Sequence, residues 1–465
     1  MLVLLCVLPY LGFWLYGLTD LDEGFYGAVV TDMLRRGDWL TPTLNGSPWF
    51  EKPILSYWLA MPTVALFGNE FGARLPSFLC TMATCFVLFR FAKKNFNEAS
   101  SQLAPLIFAT GLLVVAVGRM MMTDSALVLC MTLAFTSFYD SLTGDRRLRL
   151  WTAAFLGLAV LAKGPVGAVL FVVVAIIFYA ATPELRQAYK GWWLVGTLIL
   201  IGVVSTWYLP AYLANGQFFI DKFLIEQNIG RFSGGDKAHG VPFWAHPIYF
   251  PLVILLSTIP WLFLSMRRGL IKAKAWQTPD EAGYARRYLW IWFLTILGFF
   301  TISGTKLVHY ILPALPALAL LMADALSTAN RRQLLTAIYA TPLVMLFLAN
   351  YAFITYWQKQ FAPVQSLAKY TFAEKQKLIV YAMGGNGNPE IKLSLDESSH
   401  PSIGFYYKAP FGEKNSLNEL RELSDTHWII ARDSSHEELI EVPGIALIRS
   451  RQNYNLYEFT PAFER

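Results

Sequence analysis

Long apolar runs follow one another through most of this chain, and they constrain its fold more than any other feature. "VGAVLFVVVAIIFYA" and "WWLVGTLILIGVVSTWYL" approach the roughly 20 residues a helix needs to cross a bilayer. Composition agrees. Of the 465 residues 55% are hydrophobic and 15% charged, against about 25% charged in soluble domains. A soluble fold of this size could not hide that much apolar surface, so the chain reads as an all-α polytopic membrane protein. Its 15 Trp, 22 Tyr and 34 Phe suit rings that collect at membrane interfaces.

Run length places crossings near 1–18, 71–91, 101–117, 124–142, 148–162, 166–181, 191–214, 246–266, 288–304, 309–326 and 333–356, roughly 11–13 helices in all. The first run has no basic leader and no small-residue cleavage site, so it reads as a retained helix rather than a signal peptide. Segments 24–36 and 52–67 are helical in pattern but interrupted, and suit the interface. The long run 148–181 is broken by Lys163-Gly164-Pro165, which predicts a tight helical hairpin. Cys6, Cys80, Cys85 and Cys130 all lie in apolar segments, which offers neither a disulfide framework nor a thiolate metal site.

Basic residues orient the helices. "RFAKKNF", "GDRRLRL", "PELRQAYK", "MRRGLIKAKAW" with "YARRY", and "ANRRQ" fall on every second connection, and the positive-inside rule makes that set cytoplasmic. The net charge of +6 then suits loops at an anionic leaflet rather than nucleic acid. The opposite connections hold Asp20, Asp22, Glu23, Glu51, Lys52, Arg119, Asp124, Lys163, Glu226, Arg231, Asp236, His239, His246, Lys306, His309 and Tyr310. Charge beside hydrocarbon is costly and marks a working site, so these groups are expected to face one outer cavity.

Residues 1–357 form the membrane domain in this reading, and 358–465 a small extracytoplasmic α/β domain. In the latter, "KLIVYAMG", "SIGFYYK", "HWIIAR" and "IALIRS" with "NYNLYEF" predict strands. "NSLNELREL" and "SSHEELI" predict helices. "GGNGNPE" is a turn-rich loop; no P-loop lysine and helix follow it, so it is not a phosphate cradle.

Taken as a set, "DLDEGFYGAVVTDMLRRGDWLTPTLNGSPWFEKPILSYWL", "RMMMTDSAL", "LAKGPVG", "FLIEQNIGRF", "HGVPFW" and "SGTKLVHYILPALPALAL" resemble bacterial GT-C glycosyltransferases. The likeness is strongest to the 4-amino-4-deoxy-arabinose lipid A transferases and their protein-mannosyltransferase relatives. It covers roughly residues 10 to 330; the C-terminal domain resembles the family in position alone. The resemblance implies a polyprenyl (undecaprenyl) phosphate sugar donor and a lipid or glycan acceptor on the outer face of the inner membrane. The runner-up within enzymes is a transferase acting on a protein hydroxyl, like the mannosyltransferases; nucleic acid does not enter this reading.

The family's essential first-loop acid corresponds to Asp22, with Glu23 beside it, and its second functional acid to Asp124. A carboxylate can take the acceptor's proton or offset charge on an oxocarbenium-like sugar. Each also begins a helix, so N-capping is the structural alternative. Arg119 pairs with Asp124 or with a phosphate in this reading. The resemblance puts Lys52, Arg231 and Tyr310 at the lipid phosphate, where fixed donors would stabilise the leaving group; Lys306 and His309 flank them. The plain alternative is snorkelling at helix ends. Lys163 matches a motif, with a charged turn cap as its structural alternative.

No cofactor is required. Whether a divalent metal binds stays open, with Glu51, Glu226 and His239 as candidate ligands. A lipid-linked sugar transporter is the rival from another class. It would be expected to place ionisable groups at the midplane and show an internal repeat; here they sit on the outer rim and no repeat stands out.

Overall fold

The computed structural model describes residues 1–20, 22–189, 191, 193–230, 242–271, 281–383 and 400–461. The chain forms two compact units. One comprises Met1–Gly12, Phe50–Ser56 and Leu75–Asn350; the other comprises Phe13–Trp49, Tyr57–Arg74 and Tyr351–Arg465. The expected division at 357/358 therefore falls inside the helix Arg331–Gln360. The unit holding the C-terminal sheet also takes in most of the first outer loop.

The first unit is helical. Five helices among the described residues are long and apolar enough to cross a membrane: Glu70–Asn95, Thr123–Thr143, Trp193–Gln227, Val308–Leu326 and Leu334–Gln360. The number rises to seven if two bent pairs each make one span. These are Glu98–Ala109 with Leu112–Gly118, bent by 64°, and His246–Thr258 with Trp261–Arg267, bent by 96°. The hairpin arms Leu148–Lys163 and Val166–Ala181 have 16 residues each. Gly164 turns between them at φ +86°, a conformation that suits glycine. Pro165 N-caps the second arm.

The expected helix over 1–18 does not run its full length. It ends after Leu2–Val7 and a 3-10 turn at Leu8–Tyr10, and Gly12 then adopts φ +87°. Beyond it, the carbonyls of Phe13, Tyr16 and Gly17 accept hydrogen bonds from Arg74. A guanidinium thus satisfies acceptors that a continuous helix would have satisfied internally.

The second unit carries a five-stranded sheet in the order β4-β3-β5-β7-β6. Its strands are β3 Leu378–Tyr381, β4 Gly412–Lys414, β5 His427–Arg432, β6 Ile445–Arg451 and β7 Tyr454–Phe459; β1 Thr43–Leu44 and β2 Ser47–Pro48 form a separate hairpin. β3 runs parallel to β4 and β5, while β7 is antiparallel to β5 and β6. Every residue of β3 is buried, as a central parallel strand requires. Ile379, Ile429, Tyr457 and Phe459 pack with Leu420 and Leu439 from the short helices Leu417–Arg421 and His436–Ile440. Ser416 caps the first of these by accepting from the Glu419 N–H.

"SIGFYYK" is a correction. It forms a helix, Ile403–Tyr407, not a strand. Ile403, Phe405, Tyr406 and Tyr407 are all buried, and a short run buried all round carries no period to separate strand from helix. "GGNGNPE" lies outside the described residues.

The interfacial helix Asp22–Arg36 packs on Ile403–Tyr407 within this unit through small residues. A Cβ on Gly404 would come 3.0 Å from that of Ala28, and one on Gly24 would come 2.4 Å from Asp20 Oδ1 and 3.0 Å from Ser402 N. Both glycines are needed for close approach.

Candidate functional site

In the second unit the acids of "DLDEGFY" separate into three roles. Asp22 opens the helix Asp22–Arg36, is half-buried, and accepts from the Tyr26 hydroxyl at 3.3 Å. Its neighbour Glu23 is 0% exposed. The Glu23 carboxylate accepts from Thr19 N at 2.7 Å, Thr19 Oγ1 at 2.9 Å, Arg74 Nε at 2.6 Å and Arg74 Nη2 at 2.7 Å. Those four bonds match the acceptor sites of a carboxylate. Glu23, expected among the catalytic acids, ties the helix start to Arg74.

Asp20 is the third. Its Oδ1 accepts from Ser402 N at 2.7 Å, and Oδ2 faces His400 Nδ1 at 3.1 Å. The His400 Nε2 in turn meets the Tyr454 hydroxyl of β7. Asp22 alone of the three is turned neither to a buried arginine nor to a buried histidine.

The first unit gathers the other groups. Asp124 is 1% exposed, in the first turn of Thr123–Thr143, whose N-cap is Met122. Its carboxylate caps nothing; it takes Lys163 Nζ at 2.6 Å. Lys163 Nζ also lies 4.8 Å from the centre of the Tyr310 ring, within cation–π range. Lys52 and His309 join Lys163 in acting electrostatically on Asp124. Lys52 is nearly buried and sits 3.7 Å from Glu51, an ion pair without hydrogen-bond distance. Asp124, Lys163, Lys52 and the adjacent pair His309–Tyr310 come from four separate stretches of sequence, so their meeting is a product of the fold.

Two expected members of this group are engaged elsewhere. Lys306 donates to the carbonyls of Phe300, Thr301 and Ser303, using three ammonium hydrogens on the end of the helix Glu281–Ile302. It caps that helix end. Arg119 is 0% exposed and donates to Pro9 O at 2.7 Å, Leu11 O at 3.1 Å and Asn350 Oδ1 at 2.7 Å, not to Asp124. Arg231 and His239 lie outside the described residues.

For a metal, no group of three His, Cys, Asp or Glu converges among the described residues. Glu226 pairs with Lys222 one helical turn away at 2.9 Å, and Glu51 with Lys52. A cation there would have to displace lysines, so the described residues do not fit a metal.

Arg74 and His400 are the residues pattern reading missed. Arg74 had a signal, because a lone arginine inside the apolar run "FGARLPSFL" is expensive and must have a partner. His400, in "SSHPS", had none.

Comparison with known proteins follows the same lines. Residues 51–209 match the model of the dolichyl-phosphate-mannose-protein mannosyltransferase family. An undecaprenyl phosphate-alpha-4-amino-4-deoxy-L-arabinose arabinosyl transferase of Shewanella sediminis is 32% identical over 323 residues, covering 67% of this chain and 57% of that protein. An uncharacterized protein of Aquifex aeolicus is 32% identical over 371 residues, covering 80% of this chain and 82% of its own length. This chain thus spans little more than half of the named transferase. In fold it is similar to the crystal structure of ArnT from Cupriavidus metallidurans bound to undecaprenyl phosphate. That match has a TM-score of 0.81 at 17% identity and covers 99% of this chain and 97% of that one. An archaeal oligosaccharyltransferase from Archaeoglobus fulgidus is a more distant likeness, with TM-score 0.55 and 12% identity over 94% of this chain and 69% of that one.

Proposed function

This chain belongs to the GT-C membrane glycosyltransferase family that includes the undecaprenyl phosphate-aminoarabinose transferases, and on that premise we propose that it transfers a sugar from a polyprenyl phosphate carrier. The donor is of the undecaprenyl phosphate-aminoarabinose type, and the acceptor is lipid A on the outer face of the bacterial inner membrane. The observation that carries this reading is the set of Lys52, Lys163, His309 and Tyr310 around the buried Asp124. Lys163 on the carboxylate, the Tyr310 ring beside Lys163, and Lys52 and His309 close enough to act on the same acid suit the headgroup of a lipid phosphate.

In the transfer, an acceptor oxygen attacks the anomeric carbon with inversion. The bond from that carbon to the phosphate oxygen breaks, and its electron pair leaves with undecaprenyl phosphate. Lys52 and Tyr310, with Arg231 by resemblance, stabilise the charge gained by that leaving group. Lys163, already neutralised by Asp124, orients the acid and the Tyr310 ring. When the acceptor is a hydroxyl, Asp22 takes its proton; when it is a phosphate oxygen, the carboxylate offsets the positive charge that builds on the sugar.

Mass spectrometry of lipid A from cells with and without the protein tests the acceptor. Loss of a mass increment equal to one aminoarabinose supports the reading. Unchanged lipid A overturns that acceptor, and glycan lost instead from secreted proteins would favour the mannosyltransferase-like reading that the match over 51–209 keeps in view.

A further inference from the structure

We infer that His400, in the C-terminal segment, is a positioning residue for the transfer, acting through Asp20 to hold the backbone that presents Asp22. The inference rests on the role of Asp22 proposed above.

Three contacts from the C-terminal part of the second unit grip the segment just before the helix Asp22–Arg36. Leu18 N donates to the Tyr406 hydroxyl at 2.7 Å, and Leu18 O accepts from Gln365 Nε2 at 2.7 Å. The third is the Asp20 carboxylate, held by Ser402 N and His400. It is the nearest of the three to Asp22, two residues away along the chain. Asp20 and His400 are both buried, so water does not compete for the bond. The imidazole is fixed from its other side by Tyr454 and edge-on by Phe361, whose ring centre lies 6.2 Å away. Tyr454 opens β7, which is paired on both edges within the sheet, so the rigid end of the Tyr454–His400–Asp20 chain is the sheet and its other end is the catalytic loop. Gly24 leaves no room for that loop to shift, since Asp20 Oδ1 and Ser402 N fill the space beside it. A small displacement of a reacting group costs on the order of 100-fold in rate, so the C-terminal sheet contributes to turnover through this bond.

The two ring nitrogens allow a test that separates positioning from packing. An asparagine amide occupies the place of Nδ1 and can still bond Asp20. A glutamine amide occupies the place of Nε2, reaches Tyr454 and leaves Asp20 without its histidine. His400→Asn, His400→Gln and Tyr454→Phe would be made in the full-length protein in detergent. The readouts are turnover of undecaprenyl phosphate-aminoarabinose with lipid A, binding of undecaprenyl phosphate, and amide hydrogen exchange over residues 17–30. His400→Gln should lose kcat by about 100-fold with KM and undecaprenyl phosphate binding unchanged, and exchange over 17–30 should quicken. His400→Asn should keep kcat within a few-fold of the parent and leave exchange unaltered. Equal losses in the Asn and Gln variants, or a raised KM in place of a lowered kcat, would overturn the inference. So would unaltered exchange in both His400→Gln and Tyr454→Phe. If the parent protein transfers no sugar, the functional reading fails on that result, while the exchange comparison still decides whether His400 holds the Asp20–Asp22 segment.

Discussion

Arg74 holds Glu23 through two parallel hydrogen bonds, Nε to Oε1 at 2.6 Å and Nη2 to Oε2 at 2.7 Å, with both side chains 0% exposed. The same guanidinium bonds three carbonyls of residues 13–17. Its five N–H groups therefore join the end of the N-terminal segment to the start of the helix that carries Asp22. The Tyr16 ring covers it, 4.1 Å from the guanidinium carbon.

Removing one partner of a buried pair strands the other, at a cost of about 3–5 kcal/mol. Arg74→Met should therefore unfold at markedly lower temperature than the parent in a detergent melt. Glu23→Gln keeps an acceptor and should be milder. A Glu23→Gln variant that folds well but has no activity would return Glu23 to the catalytic set.

Asp22→Asn should abolish transfer while leaving the melting temperature and undecaprenyl phosphate binding near those of the parent. The amide keeps the acceptor that Tyr26 uses but cannot take a proton or offset positive charge. Turnover and lipid binding measured on the same preparation check this.

Lys52→Ala and Tyr310→Phe should weaken the donor phosphate contact. A ground-state loss appears as a raised apparent KM, and a loss confined to the transition state as a lowered kcat. Lys306→Met should instead lower stability with little change in KM, because its ammonium caps a helix. Steady-state kinetics against donor concentration distinguish the two groups of variants.

Lys163 and Asp124 form a buried pair at 2.6 Å. Either single neutral substitution, Lys163→Met or Asp124→Asn, leaves a buried charge unmatched, whereas the double variant leaves none. The stability lost in the double variant should be smaller than the sum of the two single losses by roughly 0.5–3 kcal/mol, read from melts of all four proteins.

Asp32 gives a pH prediction. Burial pushes its carboxyl up, but bonds from Thr43 Oγ1 at 2.6 Å, from Arg35 and from Gly46 N at 2.8 Å outweigh that and hold it below the usual carboxylate value. A depressed folded value stabilises the protein above the unfolded carboxylate range near pH 4. The contribution is lost as pH falls through the lower folded value. Melts taken from neutral to acid pH should fall less steeply for Asp32→Asn than for the parent.

The order of helices, the break at Gly164 and the first-loop helix were legible because each has a local signature: run length, a glycine–proline pair, a period. So were β5 and β7 as strands, since "HWIIAR" and "NYNLYEF" are short runs rich in apolar and aromatic residues; their pairing with each other was not. The meeting of Asp124 with Lys163 was not, although both were singled out, because a contact between residues 39 apart in sequence depends on how helices pack. Asp20 and His400 are separated by 380 residues, and neither stretch hints at the other. Lys306 looked like a phosphate ligand because a lysine at a helix boundary reads the same whether it faces a ligand or its own helix's carbonyls.

The central claim is tested most directly with purified protein in lipid nanodiscs, given undecaprenyl phosphate-aminoarabinose and lipid A, and both products followed by mass spectrometry. The account predicts lipid A heavier by one aminoarabinose and an equal amount of released undecaprenyl phosphate with the parent, and neither product with Asp22→Asn. Parent protein that leaves both substrates unchanged, or an Asp22→Asn variant as active as the parent, would contradict it.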